Sequence, residues 1–227
     1  QSIQGDARLR LRPRRRPSSR PEPVSRARVA SPPAYHGAMM TTAVRTPFTG
    51  NPEADELIAS DPLALLIGFV LDQQVTVQKA FSGPVELRRR IGRLDAAEIT
   101  AMDPDTFVTA FRTPPALHRF PASMAAKVQA LCAAIAADYG NDAGRVWTEA
   151  TDGADLQRRL LALPGIGKMK AGIISAVLVR RLGFSLPGIE AELPDHMTLG
   201  DVDSAEALAT YQAAKRARKA ELCAAGG

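Results

Sequence analysis

Cysteine, aromatic residues and long apolar runs are all scarce in this chain of 227 residues. Its two cysteines, Cys132 and Cys223, stand far apart. That count excludes a disulfide framework and falls short of the four thiolates an iron–sulfur cluster normally takes, and it predicts a reducing, cytoplasmic setting. Aromatic side chains make up 5% of the chain, with a single Trp, so a pocket walled by stacked rings has few residues to draw on. The longest apolar runs, Leu63–Leu71 and Ala171–Val179, hold nine residues each. A bilayer-spanning helix needs about 20, so no membrane association is predicted. The first 40 residues lack lysine altogether, and they lack the apolar segment that follows the basic start of a secretory signal.

What the chain does have is charge, unevenly spread. Its net charge is +5, yet residues 1–40 alone hold nine Arg against Asp6 and Glu22, which leaves 20 basic against 22 acidic side chains in the rest. The globular part is therefore slightly acidic. Overall charge is no argument for a nucleic-acid partner here; only a local patch is. Residues 1–42, rich in Arg, Pro and Ser, are expected to be a disordered tail. Two readings of it stand: a basic arm adding non-specific DNA affinity, or sequence upstream of a start at Met39 or Met40. Residues 43–227 are expected to form one domain, and the chain's 45% hydrophobic residues suffice for a core.

The pattern after Asn51 is helical, and no segment shows period-2 alternation bounded by turns, so the fold class is all-α. Asp61-Pro62 and Asp103-Pro104 both pair an N-cap with a proline at the first helical position. The run Leu63 to Leu71 is apolar all round, as a helix at a domain centre must be. Met124, Val128, Leu131 and Ile135 recur at helical spacing over Ser123 to Ala137, with Ser123 as the expected N-cap. A last charged helix is expected from Ser204 to about Ala220.

The most telling stretch is Leu163-Pro164-Gly165-Ile166-Gly167, followed by Lys168, Met169 and Lys170, between helices over Asp155–Leu163 and Lys168–Leu182. Two glycines two residues apart, ahead of a helix, leave backbone N–H groups open to an anion, where the helix N-terminus adds partial positive charge. Gly165, Ile166, Gly167, Lys168 and Lys170 could hold a phosphate of a nucleic-acid backbone without reading a base. The stretch resembles the helix-hairpin-helix motif of the HhH-GPD superfamily of base-excision DNA glycosylases. The segment Asp72-Gln73-Gln74-Val75-Thr76, some ninety residues earlier, resembles the paired-glutamine segment of the superfamily's 3-methyladenine-glycosylase-like branch. The resemblance covers about residues 50–205.

That resemblance implies a helical glycosylase-like fold, double-stranded DNA as partner, a monomer, and a place among the bacterial cytoplasm's nucleoid-associated repair proteins. It implies that Gln74, supported by Gln73, probes the gap left by a displaced base, a task for which a slim amide that donates and accepts is suited. Ser123 and Lys127 fall near a second backbone contact of the family. His118, just upstream, reads either as part of that contact or as a surface residue beside a proline turn. Phe69, Phe81, Phe107, Phe111 and Trp147 could wall a base pocket or fill the core. No organic cofactor and no metal in the chemistry are implied, and at most a monovalent cation on hairpin carbonyls.

The chain departs from the family at the chemistry. Family enzymes carry an Asp roughly twenty residues beyond the second hairpin glycine; here that stretch reads Pro187, Gly188 and Ile189. Asp195, in a displaced Leu-Pro-Asp, and Glu190 are the candidate replacements for stabilising a sugar cation. The lysine of strand-cleaving members is replaced by Met169, so no Schiff-base lyase activity is expected. Two functions follow as expectations. One is a monofunctional DNA N-glycosylase for damaged bases; the other is a non-catalytic relative that binds damaged or distorted DNA.

Overall fold

The computed structural model describes residues 46–225, apart from the side chains of residues 218, 219 and 222–225. The expected tail and the methionines at 39 and 40 lie outside these bounds, as does the side chain of Cys223. The described residues belong to one compact unit and contain helices with no strand, in keeping with the all-α reading. No helix among them is long and apolar enough to cross a membrane.

Caps written in the sequence start the first helices. Asn51 accepts from the Glu53 and Ala54 N–H groups to begin α1 (Pro52–Ser60), and Asp61 accepts from Leu63 and Ala64 to begin α2 (Pro62–Leu71). Each has a proline at its first position, where a missing N–H costs nothing. Every residue of α2 from Leu63 to Leu71 is buried, and α1, α3 and α6 pack around it. Helix α3 (Val77–Ile91) is capped by Thr76 and stopped by Gly92 at φ +91°. It approaches α2 closely: a Cβ on Gly68 would stand 2.6 Å from the Phe81 ring, which meets Phe69 and Phe48 edge-on at 5.1 and 5.3 Å.

Helices α4 (Ala96–Ala101) and α5 (Pro104–Arg112) lean on α6 (Pro121–Asp138). Met124, Val128, Leu131 and Ile135 are its buried stripe, as their spacing required. Its start differs from the sequence reading. Phe120 is the N-cap residue and Pro121 the first helical position, so Ser123 lies two residues inside and caps nothing. Proline's fixed φ nucleates the helix before the serine is reached.

After the short α7 (Arg145–Thr148), α8 (Gly153–Ala162) and α9 (Lys168–Arg180) form the expected hairpin. The two are tied at mid-height by Gln157 Nε2 donating to the buried Ser175 hydroxyl at 3.0 Å. The chain then makes two 3₁₀ turns, Ile189–Glu192 and Leu199–Asp201, and ends in α10 (Ala205–Ala225). The second turn closes on α9: Thr198 and Asp201 cap each other's backbone and side chain, and Asp201 pairs with Arg180.

Candidate nucleic-acid interface

The candidate residues gather around the C-terminal end of α2. A helix leaves its last four carbonyls without helical partners, and here each finds one. The Gly68 carbonyl accepts from the Asp72 N–H at 3.0 Å and the Leu71 carbonyl from the Gln73 N–H at 2.7 Å. The Val70 carbonyl accepts from Gln73 Nε2 at 2.8 Å. The Phe69 carbonyl accepts from Lys170 Nζ at 2.5 Å, across 101 positions of sequence. The hairpin thus rests directly on the most buried helix of the fold. Gly165 seats it: its φ of +85° is open to glycine and strained for other residues, and a Cβ there would stand 3.3 Å from Val70 Cγ2.

Gly167 is the N-cap of α9, with no side chain capping the helix, and a Cβ at this glycine would meet nothing within 4 Å. The first-turn N–H groups of α9 therefore have no capping side chain, and they carry the helix's partial positive charge. Gly165, Gly167, Lys168, Met169, Lys170, Gln73 and Lys127 line one open depression of about 430 Å³. Ile166, by contrast, is buried at 5% exposure and donates its N–H to the Leu163 carbonyl; it anchors the turn while its neighbours face outward.

The two glutamines divide the labour. Gln73 is consumed by structure: its Nε2 caps α2 and its Oε1 accepts from Lys127 Nζ at 2.7 Å. Gln74 is exposed and sits at φ +56°, a left-handed conformation that costs a non-glycine residue about 1–2 kcal/mol. His118, expected at the surface on one of its two readings, is 1% exposed. Its Nδ1 accepts from the Phe120 N–H at 3.0 Å, which makes Nε2 the protonated nitrogen, donating to the Gln73 carbonyl at 2.9 Å. Burial lowers its pKa and favours this neutral form. The loop bearing Gln74 is therefore pinned from both sides. Ser123 is exposed on the first turn of α6.

Lys168 is exposed, whereas Lys170 turns inward. Position 170 shares a helical stripe with the buried Ile174 and Val177, a spacing readable in the sequence. Burial pushes the Lys170 ammonium down to about 8, with Asp72 pulling the other way and Lys127 and Lys215 adding like charge. Asp72 also pairs with Lys215 of α10 at 3.3 Å, and Gln212 of that helix donates to Gln78 at 2.7 Å. Sequence reasoning missed this part of α10, because nothing in its charged pattern says which helix end it meets. Lys127, Lys168, Lys170 and Lys215 against Asp72 make a basic patch on an otherwise slightly acidic body.

The candidate carboxylates stand elsewhere. Glu190 is exposed on the first 3₁₀ turn, which packs against the start of α8, where a Cβ on Gly153 would stand 2.7 Å from the Gly188 carbonyl. The hairpin is at the other end of that helix, about 15 Å away at 1.5 Å per residue. Asp195 has a fully exposed side chain whose partner is its neighbour His196, at 3.3 Å. It lines a separate depression of about 490 Å³ with Arg180, Pro194, His196, Met197 and Asp201. Phe69, Phe81, Phe107, Phe111 and Trp147 are all core residues at 4% exposure or less; of their two readings the structure supports core packing, with Phe81 set edge-on to Phe69 and Phe107 against Phe111. Comparison with protein-family models, curated proteins and solved structures gives no match.

Proposed function

We propose that this protein binds double-stranded DNA through the α8–α9 hairpin and recognises distorted or damaged duplexes without excising a base. The observation that carries the reading is the convergence on one basic depression of an uncapped helix N-terminus, Gly167, Lys168 and Lys127 with Gln73, the chain neighbour of Gln74. The N–H groups and Lys168 suit a backbone phosphate, which positions the duplex without reading its sequence. Gln74, exposed and held in a strained conformation, suits a probe of the base stack.

Non-catalytic recognition is preferred to excision for two reasons. Stabilising a sugar cation needs a carboxylate held near the departing base in a water-poor site, whereas Asp195 and Glu190 are exposed and line no part of the hairpin depression. A flipped base also stacks between apolar or aromatic walls, and no aromatic residue lines that depression. Base excision as a monofunctional glycosylase stays as a second reading because of one contact. Pro194 packs on Gly172, in the N-terminal half of α9, where a Cβ would stand 3.1 Å from its Cγ, and Asp195 is the next residue along the chain.

Two experiments test the pair. In a fluorescence-anisotropy titration, Gln74→Gly is expected to lower the preference for a duplex with an abasic or mismatched position by about tenfold, the size of one good amide–base contact. The same substitution relieves the left-handed strain and should raise stability to denaturant by up to about 1 kcal/mol. An unchanged preference would remove Gln74 from recognition. In a base-release assay on duplexes with alkylated, deaminated or oxidised bases, the wild type is expected to release none. Release that Asp195→Asn or Glu190→Gln reduces by orders of magnitude, with DNA binding intact, would establish the glycosylase instead.

A further inference from the structure

The hairpin resemblance implies a monovalent cation on hairpin carbonyls, and the groups around Gly165 do not fit one. Lys170 Nζ lies 2.5 Å from the Phe69 carbonyl and 3.5 Å from the Gly165 carbonyl. A free cation brought to these oxygens would stand against that ammonium, with Lys127 and Lys215 adding to the repulsion and Asp72 opposing it. Like charges at such range repel strongly where water is scarce.

We propose that the Lys170 ammonium is this protein's built-in cation, bridging the hairpin to the end of α2 and making the hairpin indifferent to the alkali metal in solution. Three features support the assignment. The ammonium carries the charge of a monovalent metal ion and, like one, takes carbonyl oxygens as partners. Its two acceptors come from different elements, the hairpin and the last turn of α2, so the contact fixes their relative position. The α2 carbonyls are also the negative end of a helix dipole, which favours a cation there. A tethered cation is present at a fixed high local concentration, whereas a free ion must be bound from solution. Lys170 is on this account a positioning residue: it holds the hairpin's open N–H groups in place and touches no phosphate itself.

For its affinity arm the inference rests on the DNA-binding reading; its stability arm does not. The test measures thermal unfolding and affinity for one intact duplex at constant ionic strength in sodium, potassium, caesium and tetramethylammonium chloride. Wild-type stability and affinity should not depend on which cation is present. Lys170→Ala should bind about tenfold more weakly, equivalent to one lost charged hydrogen bond, and methylammonium chloride should restore most of the loss by mass action. Tetramethylammonium, which has no N–H, should restore none. Lys170→Arg keeps the charge and should stay independent of the metal. A wild type stabilised by potassium over tetramethylammonium would overturn the proposal even if Lys170→Ala did not fold. So would a Lys170→Ala that behaves as wild type, or one rescued equally by both ammonium ions. Absence of any wild-type DNA binding would end the functional reading, while the unfolding series would still decide the role of the ammonium.

Discussion

Gly167→Asp is expected to leave the protein folded and to weaken duplex binding by about two orders of magnitude. The fold tolerates the change because position 167 is extended backbone and a Cβ there meets nothing within 4 Å. Aspartate is also a favoured N-cap, so α9 itself should gain slightly. Binding suffers for the same reason. The new carboxylate would satisfy the N–H groups left open to a phosphate and set a negative charge against it. Losing a charged hydrogen bond costs about 1.5–3 kcal/mol, and repulsion in water adds about 1 kcal/mol at 4 Å. Gel-shift titration at fixed salt, with circular dichroism as the control for folding, measures the effect. An affinity within about threefold of wild type, under 1 kcal/mol, would remove the hairpin from the interface.

Gly200→Ala should act on the fold instead, costing about 3 kcal/mol, at or above the upper end of ordinary overpacking. A Cβ on Gly200 would lie 2.6 Å from the carbonyl carbon and oxygen of Ala176. Those are backbone atoms in the middle of α9 and cannot rotate aside as a side chain would. The mutual cap of Thr198 and Asp201 and the Arg180–Asp201 pair hold the turn against the helix, so it cannot withdraw cheaply. For a domain of this size the expected fall in Tm is about 6–12 °C. Gly183→Ala is the matched control: its φ is +69° but nothing crowds it, so it should cost only the left-handed strain, about 1–2 kcal/mol. Urea denaturation of the two variants tests the ordering. A Gly200→Ala cost no larger than that of Gly183→Ala would mean the turn is not locked on α9.

Much of this arrangement was legible wherever the signal is local. Asp61-Pro62 and Asp103-Pro104 start their helices as read, Leu63–Leu71 is the buried helix, and α8 and α9 fall within two residues of their expected ends. The start of α6 was misplaced because two local signals competed there: a cap-forming serine and a proline two residues earlier. Spacing along one helix cannot show what a side chain meets on another, and the surprises at the candidate site are of that kind. Lys170 looked like a phosphate ligand beside Lys168, yet it reaches a carbonyl 101 residues away. Gln73 and Gln74 looked alike, yet one is spent on α2 and Lys127 while the other stands free at positive φ. The fate of Asp195 depended on the path of a loop containing two 3₁₀ turns, which hydrophobic periodicity does not describe.

The pinning of the hairpin and the Gln74 loop to α2 has a thermodynamic consequence. A recognition face hung on flexible loops must be ordered as it binds, and that ordering is charged against affinity. Here Lys170 and Gln73 join the proposed face to the innermost helix and His118 holds the Gln73 carbonyl, so the face is ordered before any partner arrives. Calorimetry of the complex should therefore show a heat-capacity change matching the contact area alone, with no added share from protein folding on binding. Association should be limited by diffusion and electrostatic steering, and dissociation alone should report how distorted the captured duplex is.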